Sequence, residues 1–161
     1  MLERVLVGTD GSPTAARAVD RAVEVATAFG ADLTIVMAGH HDDAGRVVRA
    51  EAERHRDAVI TIDTRVDGRD PATALLDIAE EGGYDLLVVG NRGMTGAGRS
   101  FLGSVPNKVS HHASRSLLIV RTRVDVGCDR HLARGARQHE RHGGDEAPAA
   151  RRHLPVRSCG R

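Results

Sequence analysis

The sequence predicts a single α/β domain in which a parallel β-sheet is covered by helices on both faces. The first reason is that five short apolar runs alternate with segments of helical periodicity, in the order βαβ(α)βαβαβ. The second is that the central runs are apolar throughout, as in strands buried on both faces of a parallel sheet. The third is length, since 161 residues suit one domain.

The first strand and the first helix are predicted by apolar spacing and by helix-start residues. The run from Arg4 to Asp10 contains Val-Leu-Val and predicts a strand. Ser12 followed by Pro13 predicts a helix start, because serine caps a helix and proline is tolerated in its first turn. We expect this helix to end at Gly30, since glycine is a typical C-cap residue.

The middle of the chain predicts two further strands with a surface helix between them. The run Leu33–Ala38 is apolar and predicts the second strand, and Val59–Val66 alternates, which is typical of a strand nearer an edge. The segment Ala44–Arg56 is mostly polar and predicts a short surface helix. We interpret the preceding His-His-Asp-Asp run (40–43) as a solvated loop, because no further ligand lies at zinc spacing.

The rest of the domain predicts another clear helix and two strands. Asp70-Pro71 predicts a helix start and Gly82-Gly83 its end. The run Leu86–Val89 predicts a strand buried on both faces, and Ser116–Arg121 predicts a fifth strand. The face of the Asp70 helix that we expect to be buried is formed by Ala72, Leu75, Leu76 and Ala79.

A glycine-rich loop joins the fourth strand to the last helix. Gly90, Gly93 and Gly103-Ser104 follow the pattern G-x2-G-x9-G-S. Glycine lets backbone N–H groups approach a phosphate and a helix N-terminus favours negative charge, so the strand, loop and helix predict an anion cradle. We expect Ser104 to cap the helix and to offer its hydroxyl to an oxyanion. The spacing is neither that of a P-loop nor that of the dinucleotide fingerprint, and a flexible loop of small residues is the alternative.

Charge and composition argue against several classes of partner. Residues 1–121 carry 14 basic and 17 acidic side chains, and the whole chain has one Tyr, two Phe and no Trp. A mildly acidic body without stacking platforms is not the footprint of a nucleic-acid-binding protein. No apolar run has membrane-spanning length and the N-terminus has no signal-peptide profile, so we expect a cytoplasmic protein with no membrane partner.

The C-terminal segment 122–161 differs from the body. It carries nine arginines and five acids, and Cys128 and Cys159 match neither a disulfide framework nor a metal motif. Its apolar residues are few and lack periodicity, so we expect a disordered basic tail. A nucleic-acid or membrane tail is one interpretation of the basic balance. We favour an unselected extension, such as a shifted reading frame, because the charges are mixed rather than blocked.

Three motifs resemble the universal stress protein family: Asp10-Gly11-Ser12 at the end of the first strand, the G-x2-G-x9-G-S loop, and the closing SLLIVR. The resemblance covers residues 1–121 and implies a Rossmann-like (flavodoxin-like), doubly wound sheet of five parallel strands in a commonly dimeric protein. The branch with this signature binds ATP, with or without Mg²⁺. The run GRSFLGSVPNKVSHHA is also similar to an actinobacterial subgroup that prefers cyclic AMP, which makes cyclic AMP the alternative ligand.

The resemblance also implies which residues hold the nucleotide, and all of them lie at strand ends or in the glycine-rich loop. From the base to the phosphates, they are Gly8, Thr9 and Asp10 on the base and ribose side, Val36 against the adenine, Val89 and Gly90 near the ribose, and Gly93, Gly103, Ser104 and Val105 at the phosphates.

The side chains near the loop favour a binding module over an enzyme. Phosphoryl hydrolysis needs a positioned base or metal ligands, and Asp10 is the one obvious acid at the strand ends, so we predict no catalytic residue and no protein metal site. Arg92, Arg99 and Lys108 are the nearby cations. Arg99 is our candidate for neutralising a phosphate, and an exposed loop arginine is the alternative. Slow ATP hydrolysis and a nucleotide-free interaction scaffold stay open as other functions of this fold.

The last predicted strand, Ser116–Arg121, also predicts an interface. It would lie at an edge of the sheet with apolar side chains, and an exposed apolar edge invites pairing with a second copy. We therefore predict a homodimer through this strand.

Overall fold

The computed structural model describes residues 1–91 and 102–121, all of which belong to one compact unit. In this part of the chain five strands alternate with four helices. The strands are β1 (Arg4–Thr9), β2 (Asp32–Ala38), β3 (Ile62–Asp67), β4 (Leu86–Gly90) and β5 (Ser116–Val120). The helices are α1 (Pro13–Phe29), α2 (Ala44–Arg54), α3 (Pro71–Glu81) and α4 (Ser104–His112).

The strands form one parallel sheet in the order β3-β2-β1-β4-β5. This confirms the predicted five-stranded, doubly wound architecture. The strand order reverses at β1, so β1 and β4 are the neighbours at the switch point. Their pairing stops at Val7 and Val88, whereas the pairing of β1 with β2 continues to Thr9. The carboxyl ends of β1 and β4 therefore lie side by side without a ladder between them.

Helices cover both faces of the sheet because neighbouring residues of a strand point to opposite sides. On one face Val5 and Val7 pack with α1 and α2, and on the other Leu6 packs with α3 and α4. The core is aliphatic and tightly buried, and each fully buried Leu or Ile contributes roughly 1.5–3 kcal/mol. Its largest fully buried side chains are Leu6, Leu33, Ile35, Ile78 and Leu87.

The predicted helix boundaries at α1 and α3 are confirmed by their hydrogen bonds. The Ser12 hydroxyl accepts the Ala15 N–H at 3.1 Å, and a carboxylate oxygen of Asp70 accepts the Thr73 N–H, also at 3.1 Å. Gly30 ends α1 with φ of 66°, a left-handed conformation that favours glycine. Both helices therefore satisfy one of their N-terminal N–H groups with a side chain of their own.

The start of β3 was predicted wrongly. It begins at Ile62 rather than Val59, which is 92% exposed. Its pairing begins where β2 begins, since the Leu33 N–H donates to the Thr61 carbonyl at 2.9 Å and Leu33 lies opposite Ile62. The strand does lie at an edge of the sheet, as its alternation indicates.

Two helices also differ from prediction. α2 ends at Arg54 rather than Arg56, because the His55 N–H turns back to the Ala52 carbonyl. The buried face of α3 includes Ile78, which is fully buried, whereas Leu76 is only half-buried at the margin of the core. The position of α4 beside α3 decides which α3 side chains are covered.

Candidate functional site

A cavity of about 250 Å³ opens at the carboxyl edge of the sheet, where β1 and β4 separate. Ligands of doubly wound folds bind at this switch point, because the loops leaving the two strands diverge to opposite faces. The cavity is slightly smaller than the roughly 300–1,000 Å³ of typical small-molecule sites. Its lining comes from strand ends and helix starts: Gly8, Thr9, Asp10, Ala15, Val36, Ala38, His41, Pro71, Leu75, Val89, Gly90, Gly103, Ser104, Val105 and Pro106.

The cavity brings together nine of the residues that the sequence assigned to a nucleotide site. They are Gly8, Thr9, Asp10, Val36, Val89, Gly90, Gly103, Ser104 and Val105. Gly93, Arg92 and Arg99, together with the tail 122–161, lie outside the described residues. The two ends of the glycine-rich signature do meet, since the Gly103 N–H donates to the Asn91 carbonyl at 2.9 Å.

Much of the cavity lining is apolar. Val36 on β2 and Val89 on β4, which flank β1, are almost completely buried, and Pro71 and Leu75 of α3 also line the cavity. Gly8 allows α3 to approach, because a Cβ atom at this position would lie 2.8 Å from the Leu75 Cδ1 atom. A flat apolar group, such as a nucleobase, fits such a wall better than a charged one.

Asp10 places a fixed acceptor on the adjacent wall. One oxygen of its carboxylate accepts the Ser12 N–H at 3.0 Å and the Ser12 hydroxyl at 2.6 Å. The Gly11 φ of 74° permits this tight turn, and the Gly11 N–H donates to the Thr9 hydroxyl at 3.2 Å. A carboxylate held in this way suits the hydroxyl groups of a sugar and repels a phosphate.

The N-terminus of α4 lies at the same cavity and has a different character. Gly103 is its N-cap and provides no side chain, and Ser104 and Val105 are its first two residues. Their N–H groups precede the first intrahelical bond, which runs from the Asn107 N–H to the Gly103 carbonyl at 3.0 Å. No side chain of the described residues caps this helix. Two backbone donors and the positive end of a helix dipole thus face the cavity.

One expectation about this turn is wrong. Ser104 is not the N-cap, because the helix starts one residue earlier and its hydroxyl is left beside the cavity. Gly103 has φ of −62°, which any residue adopts, so a larger side chain there would act by filling space and not by straining the turn.

Lys108 was predicted as a cation near the phosphates, but it holds α4 to α3 instead. Its ammonium group lies 2.8 Å from an Asp70 carboxylate oxygen and 3.1 Å from the Thr73 hydroxyl. The bond from Lys108, with those from Thr73, lowers the pKa of Asp70 to about 2. No lysine or arginine of the described residues lines the cavity. Within the described part of the chain, the positive field at the cavity comes from the end of α4.

Sequence reasoning missed six lining residues. Four of them are aliphatic or proline residues at strand ends and helix starts, and sequence gives no sign that these segments meet. Pro106 is another, at the third position of α4, where it has no N–H to donate. His41 was interpreted as part of a solvated loop, yet its side chain lies at the cavity. The six are Ala15, Ala38, His41, Pro71, Leu75 and Pro106.

Metal-binding clusters and membrane-spanning helices are both absent from the described residues. These residues contain no group of three or more His, Cys, Asp or Glu side chains placed to hold a metal ion. None of their helices combines the length and the apolar character needed to cross a bilayer.

The fold and the cavity together define a doubly wound α/β protein with its candidate ligand site at the switch point. A family model described as the universal stress protein family matches residues 1–48 and 36–121. The chain belongs to the universal stress protein family.

Relatives and solved structures agree with this assignment. Universal stress protein Rv1636 of Mycobacterium tuberculosis is 35% identical over 142 residues, which cover 73% of this chain and 95% of the relative. Universal stress protein YxiE of Bacillus subtilis is 30% identical over 148 residues, covering 75% of this chain and all of the relative. A universal stress protein crystallised in complex with cAMP is 39% identical, with a TM-score of 0.66 over 75% of this chain and 98% of that one.

Proposed function

We propose that this chain binds an adenine nucleotide in the cavity between β1 and β4. The observation that carries the proposal is the α4 N-terminus, which no side chain of the described residues caps and which lies at a cavity with a largely apolar lining. A nucleotide combines an anionic phosphate with a flat base, so it matches both features. The family assignment supports the same function, as does the relative in complex with cAMP.

In this proposal each wall contacts one part of the ligand. The N–H groups of Ser104 and Val105, with the Ser104 hydroxyl, bind phosphate oxygens. Asp10 accepts hydrogen bonds from the ribose, and Val36 packs against the adenine. Gly93 and Arg99 complete the phosphate side, as the glycine signature predicts.

ATP is our first candidate ligand and cyclic AMP the second. The glycine signature favours ATP, and the relative in complex with cAMP, 39% identical to this chain, favours cyclic AMP. The two differ in charge, so the number of phosphates that the α4 N-terminus accepts decides between them. Mg²⁺ would bind with the phosphates of ATP.

We propose a binding module in stress signalling, with at most slow ATP hydrolysis. Asp10 and His41 are the titratable side chains among the described residues that line the cavity. Asp10 already accepts two bonds from Ser12, which fix its carboxylate at the wall of the cavity. In-line attack on a phosphate needs a base beside the phosphate.

We further propose a cytoplasmic homodimer formed through β5. This strand is an edge of the sheet, and the apolar side chains Leu117–Val120 are only half-buried. Pairing with a second copy would cover them. Sedimentation of the full chain at micromolar concentration tests the dimer, and a strictly monomeric profile would refute it.

Calorimetric titration of the full chain tests the nucleotide proposal. We expect saturable binding of ATP or cyclic AMP and at least tenfold weaker binding of UTP, because the proposed ligand is an adenine nucleotide. No heat with either adenine nucleotide, for a protein that is folded by circular dichroism, would refute the proposed function.

A further inference from the structure

Among the described residues, the cavity proposed to hold the base is lined by one aromatic ring. His41 is the only residue with an aromatic ring among the described residues that line the cavity. The tyrosine of the chain, Tyr84, is buried and donates its hydroxyl to Thr34 at 2.8 Å, and Phe29 lies exposed at the end of α1. His41 is therefore the side chain in this part of the molecule that can stack on a base.

The backbone around His41 holds this residue in a fixed turn beside the cavity. Gly39 follows β2 with φ of 107° and donates its N–H to the Asp67 carbonyl at 2.8 Å. Two residues later the His41 carbonyl accepts the Ala44 N–H at 3.2 Å, where α2 begins. The imidazole is thus attached to a turn that is anchored on both sides, to β3 and to α2.

The ring also lies against a residue without a side chain. A Cβ atom on Gly39 would lie 3.2 Å from the His41 Nε2 atom and 3.6 Å from the Pro71 Cγ atom. Imidazole and pyrrolidine therefore approach the same backbone point, next to Ala38 at the end of β2. Glycine at this position leaves room for the imidazole beside the start of α3.

The neighbouring histidine is placed differently. The His40 ring lies nearest to Gly68, 3.8 Å from the position of a Cβ atom there, and does not line the cavity. Both histidines are exposed. The same residue type at adjacent positions therefore serves two environments, and His40 provides a matched control.

We infer that the His41 imidazole stacks on the base of the bound nucleotide. This inference rests on the proposed function and adds a base-contacting residue to it. Base–aromatic stacking tolerates histidine as well as phenylalanine and tyrosine, and it needs a planar ring rather than a charge. An exposed ring at the mouth of an apolar wall covers one face of the base, while the aliphatic side chains cover the other.

The test compares four variants of the full chain by calorimetry with ATP and cyclic AMP. We expect His41→Ala and His41→Leu each to lower the affinity for the nucleotide that the wild type binds by about tenfold. We expect His41→Phe to stay within about threefold of the wild type, because a planar ring is retained. His40→Ala should leave the affinity unchanged. Thermal melts confirm that each variant is folded, which an exposed loop position permits.

Each outcome decides a separate point. Wild-type affinity in His41→Ala would overturn the inference and leave the proposed function intact. Equal losses in His41→Phe and His41→Ala would also overturn it, because the contribution would then be a charge or a hydrogen bond. A wild-type protein that binds neither nucleotide would refute the proposed function itself, and the inference with it.

Discussion

Two helix starts at the same cavity, those of α1 and α4, are built in opposite ways. α1 has 17 residues, and its N-terminus is closed by the Ser12 hydroxyl, with the Asp10 carboxylate beside it. α4 has nine residues and begins at Ser104, after the N-cap Gly103, and no side chain of the described residues caps it. A capped N-terminus has its donors satisfied by the protein, whereas an uncapped one keeps them for a ligand.

The two helix starts therefore differ in role: that of α1 stabilises the domain, and that of α4 is the proposed ligand site. The cap of α1 belongs to the stability of the domain, because it satisfies a buried donor, and Ser12 is 8% exposed. The start of α4 contributes little to stability and offers two N–H groups and a hydroxyl to the cavity. Changes at the two sites should therefore have separable effects.

The largest effect is expected from filling the α4 start. Gly103→Val adds a branched side chain in the space that a phosphate needs, without backbone strain at φ of −62°. We expect nucleotide affinity to fall at least 100-fold in calorimetry, with a thermal melt close to wild type. His111→Ala, at the exposed end of the same helix, is the control. Unchanged affinity in Gly103→Val would show that this helix start is not the phosphate site.

A pair of serine variants sharpens the comparison. Ser12→Ala removes the α1 cap and should lower the free energy of unfolding by about 1 kcal/mol. Ser104→Ala removes a hydroxyl that caps nothing, so we expect stability within about 0.5 kcal/mol of wild type. Its nucleotide affinity should fall about five- to tenfold, in line with one hydrogen bond of about 1 kcal/mol. Denaturant unfolding and titration of both proteins check this, and a stability loss in Ser104→Ala equal to that in Ser12→Ala would break the distinction.

The start of α3 provides a third case, with a pH dependence. The bond from Lys108, together with those from Thr73, lowers the pKa of Asp70 to about 2, below its value of roughly 3.9 in an unfolded chain. The contribution to stability is therefore fully present above about pH 4 and is lost as the pH falls toward 2.

We expect Lys108→Ala to lower the free energy of unfolding by at most about 1 kcal/mol at pH 7, since the pair is exposed. Lys108→Arg, which keeps the charge, should lose less. Urea unfolding at several pH values should show the difference between wild type and Lys108→Ala shrinking below pH 4. If the difference in free energy of unfolding between wild type and Lys108→Ala stays constant down to pH 2, the Lys108–Asp70 pair is not its cause.

The smallest effect is expected from removing residues 122–161. The five strands and the glycine signature all end by Arg121, so a chain ending at Arg121 retains the whole sheet and cavity. We expect a melting temperature within a few degrees of the full chain and the same nucleotide affinity. Insolubility, or a tenfold loss of affinity (about 1.4 kcal/mol), would mean that the tail is structural.

The sequence by itself determined the elements and their local ends. Apolar runs predict the five strands because burial follows directly from side-chain type. Ser12 and Asp70 predict helix starts because a cap is a contact between residues three apart in the chain. The glycine signature likewise predicts an anion cradle from backbone properties alone, and a family resemblance carried that prediction on to a nucleotide.

Only the tertiary structure decided which ends meet. The order β3-β2-β1-β4-β5 brings residues 8–10, Val36, Ala38, His41 and residues 103–106 to one cavity, and no local pattern encodes that order. Three outcomes depend on it: the exposed loop residue His41 lines the cavity, Lys108 pairs with Asp70 of α3, and β3 starts where β2 starts. Each is a contact between segments far apart in the chain, so packing of the whole sheet and its helices selects it.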